Sequence, residues 1–237
     1  MDSWLLRFVV PALLACASCA QPEAVPSAPA EEAAPPAPVE RASSSTAPRI
    51  VFLGDSLTAG YGLEKEESVP SLIQKRLREA GYPYEVVNAG VSGDTSAGGL
   101  SRLEWSLTGN VKILVIELGG NDGLRGLPVA GLKQNLTEII TRARARGIGV
   151  ILTGMEAPPN FGPAYTSEFR EVYRQVAREH DVTFVPFYLE GVAGIPSLNI
   201  SDGIHPNAEG SRIVEKTVWT ALEPLLKGSA DRKNPAR

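Results

Sequence analysis

The chain has 237 residues and a formal net charge of -4; 43% of the residues are hydrophobic and 21% are charged. The length suggests one folded domain, the composition is ordinary for a soluble α/β protein, and no basic stripe supports binding to nucleic acid. Both cysteines, Cys16 and Cys19, precede the folded part, and only two histidines exist, so a tightly held zinc ion is not expected.

The first 20 residues have the pattern of a secretory signal peptide. Arg7 precedes an apolar run over residues 9–14, and this run is too short and too interrupted for a transmembrane helix. The Leu-Leu-Ala sequence before Cys16 also matches a bacterial lipobox, in which the cysteine is lipidated, whereas cleavage after Ala20 is the alternative. The leader therefore predicts secretion across the inner membrane, giving a periplasmic or envelope-anchored lipoprotein.

Residues 21–48 are rich in Pro, Ala, Glu and Ser and contain almost no large apolar side chain. Such a segment cannot bury enough apolar surface to offset its ordering entropy, so we expect a disordered tether. The tether would join a membrane anchor to a folded domain at residues 49–228, and a polar tail follows at residues 229–237. A leaderless cytoplasmic protein with an unusual N-terminus is the alternative.

The folded region alternates predicted strands with predicted amphipathic helices. Strands are predicted at residues 50–53, 84–88, 111–118, 148–152 and 183–187, and helices at residues 69–80, 132–146, 165–180 and 207–226. A further helix runs toward Thr108, with Asp94, Thr95 or Ser96 as its cap. Such alternation predicts a parallel sheet covered on both faces. Because crossover connections are right-handed, a doubly wound, flavodoxin-like α/β fold with five strands is expected.

Ser56 follows the first predicted strand, after Gly54 and Asp55. The glycine lets the backbone turn sharply, which places Ser56 at the carboxyl edge of the sheet, where open α/β sheets bind ligands. A hydroxyl held there by a rigid strand can act as a nucleophile. A plain strand-to-turn junction is the alternative interpretation of this segment.

Asp202 and His205 lie three residues apart in a predicted loop, and Pro206 suits the first turn of the helix that follows. At this spacing the carboxylate can hold one imidazole nitrogen and leave the other free. This is the base and its orienting group in a serine triad. Alternatively, Asp202 only caps the helix. Because His180 is predicted at the end of a helix, His205 is the candidate base for Ser56.

Gly93 and Asn121 follow the second and third predicted strands. A backbone N–H at a glycine and a side-chain amide are both suitable donors for a developing oxyanion. A tight turn at Gly93 and a helix cap at Asn121 are the alternatives. Since all the candidates follow strand ends at one edge of the sheet, we expect them to converge on Ser56.

Four segments of this chain occur in the order of the four sequence blocks of SGNH (GDSL-type) hydrolases, which the chain resembles from Arg49 to Lys227. These segments are Gly-Asp-Ser-Leu at 54–57, Ser-Gly-Asp-Thr at 92–95, Gly-Asn-Asp at 120–122 and Asp-Gly-Ile-His at 202–205. Residues 87–96 and 117–126 resemble the arylesterase, thioesterase I and lysophospholipase L1 branch.

The resemblance implies a three-layer α/β/α fold and a triad of Ser56, His205 and Asp202. It also implies an oxyanion hole formed by the N–H groups of Ser56 and Gly93 with the side chain of Asn121. No metal and no organic cofactor are implied. The expected activity is that of a serine esterase, which hydrolyses carboxylic esters or thioesters through an acyl-enzyme on Ser56. A carbohydrate O-deacetylase with the same triad and a non-catalytic, flavodoxin-like module that binds an envelope ligand are the alternatives.

The expected partners are a small-molecule ester or lipid substrate and, through the N-terminal anchor, a membrane. Four residues are candidates for lining an acyl pocket, with a role as plain apolar loop anchors as the alternative: Leu124, Leu127, Pro159 and Phe161. Members of the branch often carry Arg just before the first proline of the loop at 158–162, where this chain has Glu156 and Ala157. This difference bears on the preference for an acyl chain or head group.

Overall fold

The structure is a computed structural model that describes the backbone of residues 46–231 and the side chains of residues 46–227. Five parallel strands form its single sheet: β1 (Arg49–Gly54), β2 (Glu85–Gly90), β3 (Val111–Glu117), β4 (Gly149–Thr153) and β5 (Thr183–Val185). Their order is β2-β1-β3-β4-β5, the flavodoxin-like order. The predicted α/β fold is therefore confirmed.

Within residues 46–231, eight α-helices connect or flank the strands: α1 (Ser56–Ala59), α2 (Val69–Glu79), α3 (Ser96–Ser101), α4 (Leu103–Ser106), α5 (Gly120–Leu124), α6 (Val129–Ala145), α7 (Gly162–Glu179) and α8 (Ala208–Asp231). Helices α2 and α8 pack against each other, and α3, α6 and α7 form a second layer. Between these layers, β1 and β3 are apolar almost throughout, because both faces of the sheet are covered.

Two short helices at strand ends, α1 and α5, were not predicted from the sequence, since a single turn has no apolar periodicity. The predicted helix that runs toward Thr108 is two helices, α3 and α4, which meet at Arg102. Thr95 caps the first of them, as its side chain accepts a hydrogen bond from the N–H of Gly98.

The predicted role of Pro206 in the first turn of the last helix is wrong. Pro206 instead forms an isolated β-bridge with Asn199. The helix begins one residue later than predicted because the Asn207 side chain accepts hydrogen bonds from the N–H groups of Glu209 and Gly210, at 3.0 and 3.1 Å. Its backbone continues to Asp231, past the predicted domain boundary at residue 228.

The predicted signal peptide, the lipobox cysteine Cys16 and residues 21–45 of the predicted tether lie outside the described residues. The last residues of that tether belong to the domain. Pro48 accepts a hydrogen bond from the N–H of Glu85 at 2.9 Å, and the Asn110 side chain donates to the carbonyl of Thr46. Across residues 46–231, no helix combines the length and apolarity needed to cross a bilayer.

Candidate active site

Ser56 is the first residue of α1, directly after β1. Asp55 caps this helix, because its side chain accepts a hydrogen bond from the N–H of Leu57 at 3.0 Å. Gly54 is required here for space and not for the freedom to turn that the sequence suggested, since its φ is not in the left-handed region. A Cβ at Gly54 would lie 2.0 Å from Thr58 Oγ1. The tight strand-to-helix packing thus fixes the backbone that carries Ser56.

The hydroxyl of Ser56 meets the imidazole of His205, although the two residues are 149 positions apart. Ser56 Oγ lies 2.8 Å from His205 Nε2, and His205 Nδ1 lies 2.6 Å from Asp202 Oδ2. Tyr61 packs on the same imidazole, with 4.8 Å between the ring centroids. Ser56, His205 and Asp202 therefore form one line of hydrogen bonds. His180, by contrast, is the C-cap residue of α7 and precedes β5 at the opposite edge of the sheet.

The loop that carries Asp202 and His205 is organised by its own hydrogen bonds. Asp202 Oδ1 accepts from the N–H groups of Ile204 and His205, at 2.9 and 3.0 Å, while Oδ2 faces the imidazole. Burial raises the pKa of Asp202, but these donors outweigh it and lower the pKa to about 2. Asp202 therefore stays ionised at ordinary pH and can orient the imidazole.

Asn121 lies on α5, after β3, and both N–H groups of its amide have acceptors. Asn121 Nδ2 lies 3.0 Å from Asp55 Oδ2 and 2.9 Å from the carbonyl oxygen of Asp94. Gly93, in the loop after β2, has φ 85°, which favours glycine. Its carbonyl accepts a hydrogen bond from Arg125 at 2.9 Å. Gly93 therefore directly precedes Asp94, whose carbonyl oxygen accepts the hydrogen bond from the Asn121 amide.

A pocket of about 560 Å³ opens at Ser56, and its lining includes both His205 and Asn121. Of the four predicted acyl-pocket residues, Leu124 and Pro159 line it. Leu127 and Phe161 are not among its lining residues. Other apolar lining residues are Leu57, Met155, Ala157, Pro158, Phe187, Leu189, Ala193 and Ile204. The pocket is mostly apolar and so suits an uncharged acyl group.

Glu156 also lines the pocket, and its carboxylate lies 2.9 Å from Arg170 Nε. Both side chains are more than two-fifths exposed. Solvent therefore screens this ion pair strongly, and it contributes little to stability.

Two residues that support the site were not identified from the sequence. Glu117, the last residue of β3, is fully buried, and its Oε2 accepts from Thr58 Oγ1 at 2.8 Å and from the Asp55 N–H at 3.3 Å. Arg102 donates to the carbonyl of Gly54 at 2.8 Å and also contacts the loop after β2. A charged residue at the end of an apolar strand was the available signal for Glu117.

Arg102 joins the ends of two strands to the Gly93 loop. Its guanidinium donates to the carbonyl of Ala89 at 2.6 Å and pairs with Asp94 Oδ2 at 2.6 Å, besides its bond to Gly54. The Arg102 side chain is only 17% exposed. The segments that carry Ser56 and Gly93 are therefore tied together by one cation.

The three aspartates next to the candidate residues make hydrogen bonds within the loops and helix caps. Asp55 caps α1 and Asp94 pairs with Arg102. Asp122 accepts from both the N–H and the hydroxyl of Ser96, at 2.8 and 2.6 Å. Residues 46–231 contain no group of three or more His, Cys, Asp or Glu side chains arranged to hold a metal ion.

A serine, a histidine and an aspartate aligned at the carboxyl edge of a flavodoxin-like sheet define a hydrolase-type site. The model of the GDSL-like Lipase/Acylhydrolase family matches residues 52–213. This chain belongs to that family and is a hydrolase of its acylhydrolase class. The resemblance found in the sequence is thereby confirmed.

Several known proteins are similar to about three quarters of the chain. The Esterase TesA of Pseudomonas aeruginosa is 47% identical over 183 residues, which are 77% of this chain and 91% of that protein. The Thioesterase 1/protease 1/lysophospholipase L1 of Escherichia coli is 35% identical over 77% of this chain and 87% of its own. The crystal structure of the esterase EstA from Pseudoalteromonas sp., inhibited by monoethylphosphonate, is 32% identical with a TM-score of 0.72. The match covers 76% of this chain and 98% of EstA.

Proposed function

We propose that this acylhydrolase is a serine esterase that cleaves carboxylic esters or thioesters through an acyl-enzyme on Ser56. The observation that carries the proposal is the pair of short contacts from Ser56 Oγ to His205 Nε2 and from His205 Nδ1 to Asp202 Oδ2, at 2.8 and 2.6 Å. Both distances suit proton transfer and orientation by hydrogen bonding.

In the first half of the reaction, Ser56 Oγ attacks the carbonyl carbon of the substrate while His205 Nε2 takes the hydroxyl proton. The C=O electron pair moves to oxygen, which gives a tetrahedral oxyanion. His205 then returns its proton to the leaving alcohol or thiol as the C–O or C–S bond breaks. The acyl group remains on Ser56, and Asp202 stabilises the transient imidazolium throughout.

The oxyanion is proposed to accept hydrogen bonds from the N–H groups of Ser56 and Gly93 and from the Asn121 amide. Each such donor contributes about 3–4 kcal/mol in a hydrolase where its removal has been measured. Because both Asn121 N–H groups have protein acceptors, donation to the oxyanion requires one of those bonds to be shared or released. The amide is thus already oriented before the substrate arrives, which lowers the cost of ordering it.

In the second half, a water molecule attacks the acyl-enzyme, and His205 again acts as the base. The proton taken from water passes to Ser56 Oγ as the acyl–oxygen bond breaks. A carboxylic acid leaves and the free hydroxyl of Ser56 is restored. The same donors stabilise the second oxyanion.

The mostly apolar pocket supports an acyl substrate with a neutral chain. The relatives are named for esterase, thioesterase and lysophospholipase activities. We therefore propose esters and thioesters of apolar acids as the substrate class. Glu156 at the mouth of the pocket disfavours substrates with an anionic group at that point, because like charges repel even when they are partly screened.

The two alternative functions are not favoured. A carbohydrate O-deacetylase binds a polar sugar beside a small acetyl group, whereas this pocket of about 560 Å³ is lined mostly by apolar side chains. A non-catalytic binding module would have no need for a serine hydroxyl that contacts an oriented imidazole. The relatives are also named for esterase and thioesterase activities.

A panel of nitrophenyl esters with acyl chains of increasing length tests the proposal, with Ser56→Ala as the matched variant. We expect turnover of medium or longer chains and a loss of about three decades or more in kcat on Ser56→Ala. Turnover of acetate alone would support the deacetylase. A fluorophosphonate should label the parent at Ser56 and leave Ser56→Ala unlabelled; a folded parent that is not labelled would contradict the proposal.

Export and lipidation at Cys16 remain proposals that rest on the leader sequence. Labelling of cells with a radioactive fatty acid should mark the parent protein and Cys19→Ala but not Cys16→Ala. If neither the parent nor Cys19→Ala is labelled while the protein reaches the periplasm, cleavage after Ala20 is supported and lipidation is not.

A further inference from the structure

A buried pair of carboxyl groups lies beneath the active site. Glu117 is 0% exposed, and Asp55, the residue before the nucleophile, is 2% exposed. Glu117 Oε2 accepts a hydrogen bond from the backbone N–H of Asp55 at 3.3 Å, so the two carboxyl groups are close neighbours. Two ionised carboxylates that are close neighbours repel each other strongly in a low-dielectric interior. We therefore expect the pair to retain one proton over the working pH range.

The surroundings decide which member of the pair holds that proton. Asp55 accepts hydrogen bonds from the N–H of Leu57 and from Asn121 Nδ2, both at 3.0 Å, and it faces His205. Glu117 Oε2 has donors, but its Oε1 is buried and accepts no hydrogen bond from an N–H or O–H group of the described residues. A charge on Glu117 would leave that oxygen unsolvated, which is costly, whereas Asp55 has donors for its charge.

We infer that Glu117 is a positioning residue of the active site that acts as a neutral acid: its hydroxyl donates to Asp55, and the Asp55 carboxylate holds the Asn121 amide. The inference rests on the proposed function, because Asn121 is an oxyanion donor only in the proposed serine esterase mechanism. Glu117 touches no reacting atom. It keeps Asp55 ionised, and Asp55 then keeps the amide in place for the oxyanion.

Burial and the charge of Asp55 raise the pKa of Glu117 well above its usual range, which agrees with a neutral acid. The other titratable groups around the pair are His205, from the loop before α8, and two buried phenols, Tyr173 and Tyr188. Burial raises the pKa of each phenol well above its usual range, so both stay neutral. Burial raises the pKa of Asp55 as well, although less than that of Glu117, while its hydrogen-bond donors and positive charge on His205 favour its ionised form.

The test compares Glu117→Gln with Glu117→Met. A Gln amide can donate to Asp55 and still accept from Thr58, as the protonated acid does, whereas Met can do neither. We expect Glu117→Gln to stay within about threefold of the parent in kcat. Glu117→Met should lose about tenfold to a hundredfold in kcat with KM nearly unchanged, since the misplaced amide acts only in the transition state.

The pH profile separates positioning from a merely structural effect. In Glu117→Met, Asp55 loses a donor, so its pKa rises, and the acidic limb of kcat/KM moves to higher pH. In Glu117→Gln this limb should stay where it is in the parent. The inference is overturned if Glu117→Gln loses as much activity as Glu117→Met, because the charge would then be required. It is also overturned if folded Glu117→Met keeps the parental kcat and profile.

Infrared difference spectroscopy keeps the inference testable if Glu117→Met does not fold. At neutral pH, the parent minus Glu117→Gln spectrum should contain the C=O stretch of a protonated carboxylic acid. Its absence would overturn the inference. This band is independent of ester turnover. If the parent neither hydrolyses esters nor reacts with a fluorophosphonate, the proposed function fails. The infrared band then still shows whether Glu117 is protonated.

Discussion

The two sides of the Ser56 hydroxyl are held in different ways. On the base side, Asp202 and His205 belong to one four-residue stretch, and the Asp202 side chain is 34% exposed. On the oxyanion side, Asn121 is held by Asp55 and by the carbonyl of Asp94, which come from other strand ends. Local hydrogen bonds therefore build one side, and long-range buried contacts build the other.

This difference has an electrostatic counterpart. The donors around Asp202 lower the pKa of its exposed carboxyl to about 2, while burial raises the pKa of Glu117. One side of the site thus uses a permanent anion, and the other uses a buried pair that shares a proton. Substitutions on the two sides should differ in both size and pH dependence.

Asp202→Asn should have the largest effect on the base side. The Asn amide would turn a donor toward His205 Nδ1 and favour the wrong tautomer, so kcat should fall by about 10⁴. Steady-state hydrolysis of a nitrophenyl ester measures this loss. Ser201→Ala on the same exposed loop is the control and should leave kcat unchanged. A loss below about tenfold would show that His205 needs no orienting anion.

Asn121→Ala tests the oxyanion side. Loss of one donor should lower kcat by about 10² to 10³ with little change in KM. Asn110→Ala removes an exposed amide at the other edge of the sheet and serves as the control. An increase in KM at constant kcat would instead assign Asn121 to substrate binding, which contradicts the proposed mechanism.

Arg102→Met tests whether hydrogen bonds between distant residues stabilise the oxyanion side of the site. The carbonyls of Gly54 and Ala89 and the carboxylate of Asp94 would lose a charged donor. We therefore expect the free energy of unfolding to fall by about 1.5–3 kcal/mol. Thermal or urea unfolding measures this change, and kcat should also fall. Arg142→Met removes a surface ion pair with Glu138 and should cost under about 1 kcal/mol. Equal effects of the two variants would argue against this role of Arg102.

The pH dependence of stability should have opposite signs on the two sides. The folded-state pKa of Glu117 is raised, so the stability that its protonated form contributes is present below about pH 4 and is lost as pH rises. The Tm of Glu117→Gln should therefore rise relative to the Tm of the parent as pH increases from about 4 to 8. Parallel curves would mean that Glu117 is not protonated in the folded protein.

Asp202 should show the reverse dependence. Its folded-state pKa of about 2 lies below the unfolded value of about 3.9. The stability that this carboxylate contributes is therefore present above about pH 4 and is lost as pH falls toward 2. The Tm advantage of the parent over Asp202→Asn should shrink in that acidic range. An advantage that does not change with pH would contradict the lowered pKa.

The smallest effect is expected at the mouth of the pocket. Glu156→Gln removes a charge from an exposed pair, so kcat/KM for neutral esters should change by less than about threefold. Turnover of an ester with an anionic acyl terminus should increase relative to the neutral one. Arg170→Met, which frees the carboxylate, should shift this ratio the other way. The same ratio in all three proteins would remove Glu156 from substrate selection.

The sequence predicted the sheet, and it indicated the contact between Asp202 and His205, for physical reasons that these residues illustrate. Buried strands such as β3 are continuous apolar runs, and Asp202 with His205 completes its geometry within a few residues. The contacts of Glu117 and Arg102 could not be predicted, because their partners are distant in the chain. The helix α1 was missed as well, since a cap and a crowded glycine define it and no periodicity does.

The 149 positions between Ser56 and His205 have a consequence for biosynthesis. The serine leaves the ribosome early, whereas its base is translated shortly before the final helix. No nascent chain that stops short of that point can be active, however much of its sheet has formed. The chain can therefore catalyse acyl transfer only after nearly the whole domain has been translated.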